Sequence, residues 1–157
     1  EVKSAVCSAL GRKFLGYALW VAKGREVKCT VAEKALGNFK ARIRQLTRRS
    51  GGCSIVQVVD RLRPYLLGWR SYFGLAQTPK VWRKLDEWLR HRLRAIQLRH
   101  WRRPGTICRE LKALGATQDV AKQVAANSRR WWRNSEMLLN TVLTVAHFDR
   151  LGLPRLS

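Results

Sequence analysis

Arginine and tryptophan are the residues of this 157-residue chain that could do chemistry, and the chemistry is recognition of an anion. Arginine outnumbers lysine and pairs bidentately with phosphate, and seven tryptophans can stack on unpaired bases. Covalent chemistry has less to work with. A polymerase or nuclease centre needs clustered carboxylates to hold Mg²⁺. The four aspartates, Asp60, Asp86, Asp119 and Asp149, lie in separate helical patterns, and the adjacent Asp86 and Glu87 diverge on a helix. No Ser/His/Asp set, glycine-rich phosphate loop or metal motif stands out, so no catalytic residue and no metal ligand is assigned. Cys7, Cys29, Cys53 and Cys108 form no Cys-x-x-Cys pair and have no histidine at zinc-finger spacing. They read as reduced, small, core-filling residues. His91, His100 and His147 are scattered in the same way.

The charge balance sharpens this reading. The formal net charge is +22, with 46% hydrophobic residues, enough for a real core in one ordinary domain. Residues 40–134 hold 23 Lys or Arg against five Asp or Glu, so +18 of the +22 lies there. So large a charge repels itself and is tolerated mainly where a polyanion neutralises it. Nucleic acid is the first candidate. An anionic membrane surface comes second, and no apolar run approaches the length of a membrane span. The stretch Ser135–Ser157 has two residues of each sign and is expected to pack. No secretory signal is visible, and the first residue, Glu1, suggests a fragment or processed piece.

These residues need a scaffold, and Thr78–Arg103 is its centre. Thr78 can cap a helix with Pro79 at its first position. Val81, Leu85, Trp88, Leu89, Leu93 and Ile96 fall on one arc of roughly 140°. Arg83, Arg90, Arg94 and Trp101 fall near one line on the other side, which predicts a ridge facing an anion with Trp101 at its end. Arg102 and Arg103 extend it. The 26 residues hold nine Lys or Arg and two acids.

In chain order, the apolar run Phe14–Val21, a turn at Lys23-Gly24 and the alternation Glu26–Thr30 predict a hairpin. Thr30-Val31-Ala32-Glu33 reads as a capping box for a helix carrying Leu36, Phe39, Ile43 and Leu46, stopped at Ser50-Gly51-Gly52. Arg42, Arg48 and Arg49 lie off its stripe and join the candidates for binding a polyanion. A second capping box, Ser54-Ile55-Val56-Gln57, opens a helix that Pro64 should kink or divide. Thr106 and Thr117 open two short helices. Arg129, Arg130 and Arg133 sit in a basic and aromatic knot with Trp131 and Trp132, and Ser135 is expected to cap the last helix. Trp69, Trp82 and Trp88 are expected in the core.

The sequence resembles the C-terminal part of bacterial group II intron reverse transcriptase/maturases. Lys3-Ser4-Ala5-Val6 followed by Arg12–Tyr17 looks like the end of the palm. Leu67-Gly68-Trp69-Arg70-Ser71-Tyr72-Phe73 looks like the thumb, or maturase-specific domain. Trp88–Arg94, Trp101–Pro104, Arg109-Glu110-Leu111, Trp131–Ser135 and Phe148–Leu156 follow the family's order over essentially the whole chain. The fingers, most of the palm, its metal-binding aspartates and a Cys-rich endonuclease module have no counterpart here. The residue patterns predict a mainly α fold, a short N-terminal β-hairpin (residues 1–30) followed by about six helices (31–157), and the resemblance implies that these are a palm remnant and a thumb-like bundle. It also implies binding of group II intron RNA for splicing, and of RNA template–DNA primer in a full-length parent. That parent would be a Mg²⁺-dependent RNA-directed DNA polymerase in the bacterial cytoplasm. Two alternatives stand beside it: a subunit that works with a separate fingers–palm reverse transcriptase chain, and a domesticated binder of structured nucleic acid in general.

Overall fold

The computed structural model describes Ser8, Leu10 and residues 12–48, 52–136 and 138–157. Lys3–Val6, Cys7, Arg49 and the Ser50-Gly51 stop lie outside the described residues. The fold is mainly α. A small antiparallel sheet in the order β1-β2-β3 leads into eight α-helices among the described residues. The strands are β1 (Lys13–Phe14), β2 (Tyr17–Val21) and β3 (Val27–Val31).

The predicted hairpin gains a third strand because the apolar run Phe14–Val21 is interrupted. Phe14 pairs with Tyr17 across Leu15 and Gly16, both at positive φ, as a tight two-residue hairpin loop requires. Gly16 has a second reason to be glycine. A Cβ there would stand 3.1 Å from Cζ of Phe73. Tyr17 and Phe73 pack at 5.1 Å between ring centroids, and the Tyr72 hydroxyl donates to the Leu15 carbonyl at 2.9 Å. The sheet is thereby pinned to the end of the second helix. Thr30 does not cap the first helix, because the sheet takes Thr30 and Val31 as partners of Ala18 and Tyr17. The cap falls at Ala32, with no side-chain bond.

Three long helices carry the core: α1 (Glu33–Leu46), α2 (Ile55–Tyr72) and α3 (Pro79–Trp101). Ser54 and Gln57 make the reciprocal bonds of a capping box. Helix α2 runs through Pro64 undivided. Pro64 and Asp60, whose carbonyl loses its helical partner, are both exposed, so water can take that bond. Pro79 opens α3 as expected, but the Thr78 side chain makes no cap bond. The core gathers Phe39, Ile43, Leu62, Leu66, Leu89 and Leu93, all fully buried. Trp69 and Trp82 join it as predicted, and Trp88 is half-buried against it.

Helices α4 (Pro104–Ala113) and α5 (Gln118–Ala126) pair with each other. Pro104 is the first residue of α4, two positions before the predicted start at Thr106. Thr117 caps α5 through the Val120 amide. The stretch expected to be one knot and one helix is divided more finely. A 3-10 turn at Ser128–Arg130 precedes α6 (Trp131–Glu136), α7 (Leu139–Val142) and α8 (Val145–Arg150). Ser135 caps nothing; it is buried inside α6 and donates to the Trp132 carbonyl at 2.6 Å. Helices α6 and α7 lie against α3, and Leu153 and Leu156 bury themselves in the core, so the neutral tail packs.

Candidate nucleic-acid interface

The covering of α3 by α6, α7 and the tail decides which arginines are free. Arg90 is only 4% exposed. Its Nη1 lies 3.2 Å from Asp86 Oδ1, and its Nη2 lies 3.6 Å from Asp149 Oδ1, beyond hydrogen-bond length. Asp149 also receives Arg155, whose hydrogen bond holds the Asp149 carboxyl below its ordinary value against the opposing effect of burial. Asp86 accepts the backbone amides of Leu156, at 3.1 Å, and Ser157, at 3.0 Å. This network ties α8 and the tail to α3. Arg90 is therefore a correction to the predicted ridge: it is a buried structural cation that faces two carboxylates. The sign of its role was legible, since Asp86 stands four residues before it, at ion-pair spacing on a helix.

The other ridge positions divide. Arg83 is exposed. Arg94 is half-buried; its Nε donates to the Leu143 carbonyl at 2.8 Å. Burial, and then repulsion from Arg90, lowers its pKa. Trp101 is half-buried and packs against the core, so it does not stand free at the end of a ridge. Arg83 and Arg94 do share one wall of a 740 Å³ cleft along the middle of α3. That cleft is mixed in charge, because Asp86, Glu87 and Glu136 also line it.

A second cleft of 700 Å³ has the opposite character. It lies between the start of α2 and the end of α3, with Arg99, His100 and Arg102 along one side and Cys53, Ser54 and Ile55 along the other. A smaller pocket shares Gly52, Cys53 and His100 with it and adds Arg48 and Arg61. No Asp or Glu lines either pocket among the described residues. Arg48, Arg61, Arg99 and Arg102 are all exposed, and none makes an ion pair among the described residues. The position follows from the fold. Helices α2 and α3 are joined by a short loop, so the start of α2 meets the end of α3. Partial burial lowers the pKa of His100. Arg61 and Arg99 are the residues that sequence reasoning missed. The signal was the helical hairpin itself, read as a pairing of the two helices rather than one helix at a time.

The geometry of Arg102 is set by the next helix. Pro104 requires Arg103 to be extended, which it is at φ −90° and ψ 138°. The two-residue junction then turns at Arg102, with φ at +53°. Arg103 is exposed beside it. Of the other candidates, Arg42 is exposed and donates to Gln45 at 3.0 Å. Arg129, Arg130 and Arg133 are exposed, and the last two line a 190 Å³ pocket with Asn127 and Asn134. Within residues 40–134, the described ion pairs are Arg90–Asp86 and Arg109–Glu110. Few of the 23 cations of that segment therefore have a carboxylate partner among the described residues.

Cys29, Cys53 and Cys108 are half-buried and form no disulfide among the described residues, and no group of three potential metal-ligating side chains forms among the described residues. No described helix is long and apolar enough to cross a membrane.

A mainly helical domain with an acid-free arginine cleft defines a class: small, strongly basic helical modules. The particular family follows from a match of residues 36–114 to the group II intron maturase-specific domain. That is half of the chain, and the chain belongs to this family. The match runs from α1 to the end of α4, so it contains every charged residue of the basic cleft. The α6–α8 wall of the mixed cleft lies beyond it. No curated protein matches the chain.

Proposed function

We propose that the chain binds folded group II intron RNA through the basic cleft and supports splicing by stabilising that RNA, with no covalent step of its own. The observation that carries this reading is the acid-free set Arg48, Arg61, Arg99 and Arg102 inside the maturase-specific region. Planar guanidiniums grip phosphate in pairs, and the arrangement favours shape and backbone recognition over base sequence. In this reading residues 1–30 are the end of a palm, residues 31–157 are the thumb, and the setting is the bacterial cytoplasm. A longer parent with fingers, palm and Mg²⁺ would use the same cleft on RNA template–DNA primer.

The test is binding of intron RNA against bulk transfer RNA by the chain and by Arg99→Gln/Arg102→Gln. Preference for the intron, lost in the double variant, is the expected result. Equal binding of both RNAs would favour a domesticated general binder instead. A second reading has its own observation. Phe14 is 76% and Leu75 78% exposed, with Leu15 and Val27 also uncovered, and such apolar surface suits a protein partner. A separate fingers–palm chain is the partner proposed, and co-purification with a protein bearing a Tyr-x-Asp-Asp motif tests it.

A further inference from the structure

The mixed cleft is poorly suited to the partner that the basic cleft fits. Its Arg90 and Arg155 are already engaged by Asp86 and Asp149. Glu87 and Glu136 are exposed on its walls, and neither makes an ion pair among the described residues, although bases outnumber acids 32 to 10 in the chain. Two open carboxylates repel a phosphate. They accept hydrogen bonds from N–H donors, and the exocyclic amino groups of nucleobases are such donors. Flat surfaces are present as well. Trp88, with the Arg44 and Arg92 guanidiniums 5.6 and 5.4 Å from its ring centroid, lines the cleft, and so does His91, whose ring packs tilted against Trp132 at 4.0 Å and whose Nε2 lies 2.9 Å from the Trp132 carbonyl oxygen. Arg83 and Lys84 are exposed on α3 at the same cleft, placed to take flanking phosphates.

We infer that this cleft holds an unpaired RNA nucleotide bearing an exocyclic amino group, with Glu87 and Glu136 accepting from the base and Arg83 and Lys84 meeting its phosphates. The inference deepens the RNA-binding reading and rests on it. It assigns the two clefts different tasks. One grips backbone, and the other selects a splayed base, the usual route to sequence preference on RNA.

The experiment measures binding of the full chain to short single-stranded RNAs of adenosine, of cytidine, of uridine and of abasic ribose phosphate. Adenosine and cytidine strands should bind about tenfold more tightly than uridine or abasic strands, the factor expected of one well-made base contact. Glu87→Gln/Glu136→Gln, checked by thermal unfolding, should erase that preference and leave the abasic strand no weaker. Equal binding of all four strands by the parent chain would overturn the proposal. So would a double variant that binds every strand more tightly by one common factor, because the carboxylates would then merely repel phosphate. Binding of folded intron RNA by Arg99→Gln/Arg102→Gln is read in the same series. A loss confined to that variant upholds the backbone grip without the base pocket, whereas a base preference with no such loss removes the basic cleft instead.

Discussion

The basic cleft at the end of α3 and the mixed cleft along its middle share one helix, yet only the first is free of carboxylates. They are almost equal in volume, so size does not distinguish them. The difference lies in what packs on the helix. At the end of α3 the neighbouring wall is the start of α2, which brings Ser54 and Arg61 and no acid. Along the middle, α6 brings the exposed Glu136, while α8 brings Asp149 and the tail brings Arg155, and Asp149 fastens Arg90, already paired with Asp86, into a structural ion-pair network. An arginine on a helix is thus left open or fastened according to the carboxylates around it, both on its own helix and across the groove.

The largest expected effect separates fastening from ligand-binding group. Arg90→Ala should cost about 3–5 kcal/mol of stability in urea unfolding, because it leaves Asp86 and Asp149 without their buried partner. Arg99→Gln should stay within about 0.5 kcal/mol of the parent, as exposed changes do. Equal costs for the two would erase the distinction between the clefts.

Next, Arg83→Gln/Lys84→Gln should weaken binding of folded RNA less than Arg99→Gln/Arg102→Gln does, measured by filter binding at one salt concentration. The nearby Glu87 and Glu136 already offset the first pair's attraction for phosphate. The opposite order would make the mixed cleft the main grip.

Arg102→Gly sharpens the comparison within one residue. A non-glycine residue at positive φ is held at a cost of order 1 kcal/mol, so this change should leave thermal stability equal or slightly higher while RNA affinity falls. A loss of both stability and binding would mean that the side chain is needed for folding.

The smallest effect is on pH. Burial lowers the pKa of His100 and of His147 from 6.5, so the unfolded chain binds more protons than the folded one as pH falls through that value. Their contribution to stability is complete above 6.5 and is lost on acidification toward their folded values. RNA binding should move the other way, since a protonated His100 adds a cation to the basic cleft. His100→Gln should remove the binding trend in a titration of affinity against pH.

The fold was readable wherever a local signal agreed with its surroundings. The Ser54–Gln57 capping box, the Pro79 start and the apolar stripe of α3 depend on neighbours in sequence, and each formed as expected. Thr30 failed because a strand claimed it, and Ser135 failed because its helix started earlier and buried it. The site was less legible than the fold. The ridge of Arg83, Arg90 and Arg94 was derived from one helix in isolation, and burial of its middle member depends on Asp149 and the tail, dozens of residues away in sequence. The placing of Arg61 and Arg99 on two pockets that share Gly52, Cys53 and His100 is likewise a property of two helices together.

The central claim is that the basic cleft holds phosphate. Its most direct test is the affinity of the chain for folded intron RNA over a series of salt concentrations, repeated with Arg99→Gln/Arg102→Gln. Log affinity should fall steeply and linearly with log salt, and the double variant should flatten the slope by about 0.7–0.9 for each phosphate it no longer neutralises. A folded double variant with the parent's affinity and the parent's slope would contradict the claim.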